Sequence, residues 1–334
     1  MLASSIKRKR MGAGVSAAII ALVVYGSLTA PGSASTGHRR VLAVTTSAVA
    51  AARFPAGFVG VSAPHGPRSA AGRLAVYSTA DGKRLAFLTA TEPGGGAFNP
   101  VFSADGRSVA FERGAGSCAA TIDAVPATGG RETVLVPMTF SGHRPIVPSS
   151  PAYSGDGRYL GYLTTGCSVY ADDVIHVRNL RTGQELTGPG YLAERAVFVN
   201  QDRQIGFADG GNLVIVAIPS FTRRAFHPPR GCEYLQLAGT ETKLAATMEC
   251  GSRHALSVVA ISTSTFTVTS TLFRLTRCPT CTDLSLAADD PSAMLAATDN
   301  PCTSVPGAIF VVRGQAARLV LSGSALDLPY EIVW

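Results

Sequence analysis

Apolar and polar residues alternate along short runs of this chain, and the runs come in pairs around tight turns. Phe102-Ser103-Ala104-Asp105-Gly106-Arg107-Ser108-Val109-Ala110-Phe111 shows the pattern. An aromatic residue closes one run. Asp-Gly occupies the tip, where positive φ is needed and Gly has no Cβ to clash. The next run resumes with Val109 and Phe111 on one side and Ser108 and Ala110 on the other. A period of two predicts strands, and the turn predicts a hairpin. The pattern returns as Tyr153-Ser154-Gly155-Asp156-Gly157-Arg158-Tyr159-Leu160-Gly161-Tyr162. A looser third copy runs from Phe198 to Phe207, and two degenerate copies, Leu237–Ala246 and Leu286–Ala297, keep little more than the spacing.

Between these copies lies a second kind of hairpin. Leu74–Leu88 turns at Asp81-Gly82, Thr121–Val136 at Gly129-Gly130, and Ile175–Leu186 at Thr182-Gly183. Leu213–Phe226, Ala255–Leu272 and Ala308–Leu321 repeat it without a clear Gly. Each unit therefore holds two hairpins, or four strands, in roughly 40–50 residues, the period of a propeller blade. At the two ends the pattern is incomplete. Phe58-Val59-Gly60-Val61 reads as one strand with no Ser-x-Asp-Gly strand before it, and 326–334 reads as an inner strand that does not continue. Pairing these fragments completes a blade and removes the open edges that a sheet otherwise exposes. The expected architecture is an all-β, six-bladed β-propeller of four-stranded blades. Its closing blade joins 326–334 to 56–89, and the others span 98–137, 150–188, 196–227, 234–272 and 284–322.

The copies quoted resemble the TolB-type, WD40-like propeller repeat, whose motif runs Pro-x-aromatic-Ser-x-Asp-Gly-Lys/Arg, then two apolar positions and an aromatic. Asn99-Pro100-Val101-Phe102 and Pro151-Ala152-Tyr153 supply the leading Pro. The match is specific over 98–190 and fades towards the C-terminus. The resemblance implies a propeller fold and suggests a protein–protein role in the cell envelope.

Charge changes the picture at one end only. Residues 1–40 contain Lys7, Arg8, Lys9, Arg10, Arg39 and Arg40 and no acid, which accounts for all but about one of the formal +7 charges. The remainder carries no basic excess of the kind a nucleic-acid face needs, so that class is set aside. Gly12–Ala30 is uncharged and apolar. A basic cluster before it and Pro-Gly-Ser after it orient the N-terminus to the cytoplasm and the rest outside. The expected organisation is a basic segment (1–10), a transmembrane anchor helix or signal h-region (11–30), a linker (31–55) and the propeller (56–334). Gly32-Ser33-Ala34 offers a cleavage site, so the domain is membrane-anchored in one reading and secreted in the other.

Seven cysteines in an extracytoplasmic domain point to disulfides. Cys232 lies five residues before Leu237, and Cys281 five before Leu286; Cys250 and Cys302 follow the matching second strands. This register predicts Cys232–Cys250 and Cys281–Cys302, each closing one hairpin. Cys118 and Cys167 follow second strands in adjacent blades and are expected to pair across them, leaving Cys278 over. All seven are expected in loops on one face. Cys278-Pro279-Thr280-Cys281 has no second pair at zinc spacing and no βαβ context, which argues against metal or redox chemistry.

No catalytic motif stands out. Gly60-Val61-Ser62-Ala63-Pro64 fails as a nucleophile elbow at its last position, and Gly188-Pro189-Gly190-Tyr191-Leu192-Ala193 follows a hairpin rather than opening a helix. The repeat's Ser-x-Asp-Gly lacks the Thr-Trp of a sialidase Asp-box, so its Asp is assigned to the turn. His65, His143 and His254 are expected as exposed loop residues on the cysteine-bearing face; the alternative is a metal site at the channel mouth. Asp172-Asp173 reads as a solvated loop. No cofactor is implied. The expected function is a binding or scaffold protein of the envelope without enzymatic activity, docking a protein partner on the stapled face. The alternative is a metal-dependent hydrolase or lactonase working in the channel.

Overall fold

The computed structural model describes residues 57–62, 72–78, 80–90, 95–114, 118–166, 174–188, 195–240, 242–251, 255–275, 282–286, 293–297, 307–313, 316–323 and 330–333. The expected N-terminal helix at 11–30 lies outside them. Among the described residues no helix is long and apolar enough to cross a membrane.

Among the described residues every regular element is a strand. The first sheet holds β1 (Gly57–Ser62), β2 (Arg73–Ser78) and β3 (Arg84–Phe87). The second holds β4 (Gly96–Phe102), β5 (Ser108–Gly114), β6 (Ala120–Pro126) and β7 (Thr133–Val136). The third holds β8 (Thr139–Ser141), β9 (Arg144–Tyr153), β10 (Tyr159–Gly166), β11 (Val174–Asn179) and β12 (Glu185–Gly188). The fourth holds β13 (Ala196–Val199), β14 (Gln204–Asp209), β15 (Asn212–Ala217) and β16 (Arg223–Phe226). The fifth holds β17 (Cys232–Gly239), β18 (Leu244–Cys250), β19 (Ala255–Ile261) and β20 (Val268–Leu275). The sixth holds β21 (Thr282–Leu286), β22 (Ala293–Ala297), β23 (Gly307–Arg313) and β24 (Ala316–Gly323). Finally β25 (Tyr330–Val333) returns to the first sheet and lies beside β1, as the incomplete ends of the sequence require.

Within each sheet the strands follow chain order and pair antiparallel. The first strands touch in a cycle, β4 to β9, β13, β17, β21, β25 and back to β4. This is a propeller-like arrangement of four-stranded blades. One blade departs from expectation. The third has five strands, because β8 folds back on an unusually long β9.

The core lies between the sheets. Val109 and Phe111 join the cluster of Leu74, Val76, Ile309, Val311 and Ile332, while Ala110, between them, faces Leu160 and Tyr162 of the third sheet. From Val109 to Phe111 both sides of the strand are thus buried, and the residue between the two large ones is the small Ala110. Phe198, Ile205 and Phe207 fill the next seam with Ile175 and Val177, and Leu213 and Ile215 meet Leu237 and Val259 in the one after. Each large side chain so buried stabilises the fold by about 1.5–3 kcal/mol before entropy is counted.

The repeated turn has a specific chemistry. Ser103 Oγ donates to Asp105 Oδ1 (2.7 Å) and accepts from Ser108 N (3.0 Å), while Asp105 Oδ1 also accepts from Arg107 N (3.0 Å). Ser154, Asp156, Arg158 and Tyr159 repeat this set. Gly106 and Gly157 take φ of 67° and 70°. In the third copy the turn itself has no Gly, and Asn200, Gln201 and Asp202 all sit at φ of 54–60°. There the Asp carboxylate turns outward instead and accepts from the amides of Gly155 and Asp156 in the neighbouring blade (2.8 and 3.1 Å).

Candidate functional site

The two ends of the strands give the ring two distinct faces. On one lie the Ser-x-Asp-Gly turns and the outer turns at Asp81-Gly82 and Gly183. β1 starts on that face, since Gly57 pairs with Ser78 just before the Asp81 turn. On the other lie the starts of the inner strands and the ends of their partners. There Cys232 pairs with Cys250 in strand register, and the two form a disulfide with Cα atoms 4.0 Å apart. They close the hairpin as the repeat predicts, but as the terminal residues of β17 and β18 rather than in loops. Cys118 is also disulfide-bonded, with a partner outside the described residues. Cys167, Cys278, Cys281 and Cys302 fall outside the described residues, as do His65, His254 and Asp172-Asp173.

The β8–β9 hairpin stands on this same face, because its base at Ile146 lies opposite Gly166, the last residue of β10. β9 is an inner strand, so β8 extends the blade towards the axis. Thr139, Phe140, Ser141, Gly142, His143 and Arg144 are all exposed, Phe140 at 62 %. His143 is at the tip. The hairpin was not legible in the repeat pattern, because it interrupts the pattern between two blades.

A second polar feature lies where β4 and β9 bulge. Glu112 Oε1 accepts from Asn99 Nδ2 (2.7 Å) and from the backbone N–H of Ser150 in the next blade (2.6 Å). Asn99 and Ser150 occupy equivalent positions, each before a proline and each at positive φ (42° and 51°). Burial pushes the Glu112 carboxyl up from its ordinary value, against the pull of these two donors. From the start of the fourth blade, Arg195 donates to Ile332 O in the closing strand (3.5 Å).

The third feature is a hydrogen-bonded chain across the outer strands of the third blade. Thr164 Oγ1 is 2.8 Å from His176 Nε2, and His176 Nδ1 is 2.9 Å from Glu185 Oε1. The second Glu185 oxygen accepts from Tyr162 Oη, and the Tyr162 ring stacks on the imidazole with centroids 4.6 Å apart. Burial, then the bond to Glu185, raises the Tyr162 hydroxyl above its ordinary value. Burial pulls the Glu185 carboxyl up, but Tyr162, His176 and the charge of Arg178 together hold it below the usual carboxylate range. None of these residues follows a motif in sequence. Tyr162 and Thr164 are two apart on one strand, and His176 is the cross-strand partner of Tyr162. Only the strand register brings them together.

The same blade position is polar in two other blades. Arg113, four residues after Val109, pairs with Glu132; Asp209, four after Ile205, pairs with Arg223. Thr164 stands four after Leu160, and Glu185, like Arg223, opens an outer strand. Three blades thus link their second and fourth strands by a polar strut, with different residues each time.

No protein-family model and no curated protein sequence matches the chain. Solved structures do. A structure of a nidogen/laminin complex aligns with TM-score 0.56 at 10% identity, over 83% of this chain and 97% of that one. An oligogalacturonate lyase in complex with manganese aligns at 0.51 and 11% identity, over 72% of this chain and 67% of that one. A puromycin-hydrolyzing peptidase of Mycobacterium tuberculosis aligns at 0.50 and 16%, over 81% of this chain but 43% of that one. At such identity the likeness shows the fold alone, and with the sheet order it defines the class: this chain is a β-propeller.

Proposed function

We propose that the chain is a six-bladed, TolB-like propeller of the cell envelope, tethered outside the cytoplasm by its N-terminal segment, and that it works as a binding or scaffold protein. The observation that carries this reading is the polarity of the ring. The tether joins β1 on the face of the tight turns, and the β8–β9 hairpin stands on the opposite face with Phe140 exposed at 62 %. On an anchored protein that face points away from the membrane. The Cys232–Cys250 bridge and the disulfide of Cys118, which we assign to Cys167, stiffen the same face. A rigid surface with an apolar side chain held clear of the sheet loses little conformational entropy on docking.

The experiment is crosslinking in cells of the tagged full-length protein, followed by mass spectrometry. We expect one reproducible envelope partner, lost when 139–144 is replaced by a two-residue Asn-Gly turn and retained when the turn at Asp105-Gly106 is altered. A partner set unchanged by the hairpin replacement overturns the assignment of this face.

A further inference from the structure

From the chain Thr164–His176–Glu185 we infer that the third blade carries a second activity, independent of docking: a slow acyl-transfer site that hydrolyses small esters, with the Thr164 hydroxyl as nucleophile. The geometry assigns the roles. Nucleophilic catalysis by a hydroxyl needs a base within hydrogen-bond reach and a third group that orients the base. Thr164 Oγ1 to His176 Nε2 at 2.8 Å meets the first condition, and His176 Nδ1 to Glu185 Oε1 at 2.9 Å meets the second. The carboxylate fixes the tautomer with hydrogen on Nδ1, which leaves the Nε2 lone pair towards Thr164. The Tyr162 ring lies almost parallel to the imidazole, 7° between planes, and fixes its rotation. The Tyr162 hydroxyl occupies the other Glu185 oxygen.

The comparison between blades bears on the choice. In the second and fourth blades a single ion pair, Arg113–Glu132 or Asp209–Arg223, bridges the same two strand positions. Those struts contain no hydroxyl and no imidazole, so neither offers a hydroxyl nucleophile bonded to a base. The third blade bridges the gap with a hydroxyl, an imidazole and a carboxylate in the order that proton transfer requires. The site is sheltered yet reachable: His176 is 15 % exposed, Glu185 32 %, and Thr164 partly exposed near the loop-face end of β10.

The step balances without a further reactant. Thr164 Oγ attacks the ester carbonyl carbon as its proton passes to His176 Nε2, and Glu185 stabilises the imidazolium. The C–O bond to the alcohol breaks, and His176 returns the proton to the departing alkoxide. Water, giving a proton to His176, then attacks the threonyl ester; the acyl C–Oγ bond breaks, His176 returns the proton to Thr164 Oγ, and the carboxylic acid leaves. Base assistance of this kind contributes typically about 10²–10⁴-fold, so slow turnover is expected.

The test uses the purified full chain with a fluorophosphonate probe and p-nitrophenyl acetate. Wild type is expected to be labelled at Thr164, located by peptide mass spectrometry, and to hydrolyse the ester. Thr164→Val keeps the shape and removes the hydroxyl; it should abolish labelling. Thr164→Ser should retain it, and His176→Gln should lower both readouts at least about 100-fold, in keeping with the loss of base catalysis. Asp209→Ala, which breaks the strut of the fourth blade, should lower the melting temperature and leave labelling intact. An unlabelled wild type, or labelling that survives Thr164→Val, overturns the inference and leaves the chain as a strut like its two neighbours. Neither result touches the docking face, which is read from the partner set alone.

Discussion

Glu112 shows how one residue is governed by its surroundings more than by its type. It is half-buried, has two donors and pairs with no cation among the described residues. Burial raises its carboxyl above the ordinary value. In the interval between the ordinary and the raised value the folded state binds more protons than the unfolded one. Stability therefore rises as pH falls through the folded value, and the penalty of the charged form is present above it. Glu112→Gln keeps an acceptor for Asn99 and Ser150 and removes the charge. We expect the variant to be at least as stable as wild type at neutral pH, and wild type to recover relative to it on acidification. Denaturant unfolding of both proteins across this range checks the sign; a wild-type advantage that grows with pH would refute it. Asn99 and Ser150 themselves hold positive φ before proline, where an extended backbone is the ordinary choice. The donors that reach Glu112 come from these two bulges, so the carboxylate and the bends support one another.

At the scale of elements, the hairpin is the unit on which the fold is built, and its local closure explains its strength. The Cys232–Cys250 bridge closes a loop with sequence separation 18. Chain-entropy arguments give such a bridge about 3 kcal/mol. Cys232→Ser should lower unfolding free energy by about that amount. Reducing the wild type should cost at least as much, because reductant also opens the disulfide of Cys118; equal stability of wild type and variant under oxidising conditions would contradict it. The Cys pairing was legible because register within a hairpin is fixed by its turn, and the degenerate copy Leu237–Ala246 still keeps the spacing: Leu237 faces Ala246 and Gly239 faces Leu244. The polar struts were not legible. Arg113–Glu132, Thr164–His176–Glu185 and Asp209–Arg223 share positions but not residue types, so no repeat search brings them out. Arg113 even leaves Nε and Nη1 buried without a hydrogen-bond partner, while its guanidinium lies 5.0 Å from the Phe111 ring.

At the scale of the molecule, the ring is held by seams rather than by a central core. Phe111 and Val109 link the second sheet to the first, and Leu160 and Tyr162 link the third to the second. The turns add polar ties on the outside, as in the two amides that Asp202 binds across a seam. The closing strand bears on all of them, because a ring left open exposes two sheet edges and two apolar faces. Ile332 is fully buried in the cluster with Leu74, Phe111 and Ile309. Ile332→Ala should cost about 2–5 kcal/mol, as large-to-small core changes do. Hydrogen exchange should then accelerate first in β1, β2 and β25; uniform exchange across all sheets would show that closure by this strand is not where the ring opens.

What the sequence by itself determined was everything set by short range. Alternation fixed the strands, Asp-Gly fixed the turns, the period fixed the grouping into fours, and two unfinished ends fixed their own pairing. These rest on steric and hydrogen-bond rules that act within about ten residues, plus one rule against open edges. Only the tertiary structure decided what meets across strands and seams. It extended the third blade by β8, turned Asp202 outward where its turn lacks Gly, set Glu112 between two bulges, and assembled Thr164, His176 and Glu185 from three strands. In a repeat fold the backbone positions recur while the side chains at them drift. A chemically specific contact therefore depends on which residues the register places together, and neighbouring copies of the motif carry no trace of it.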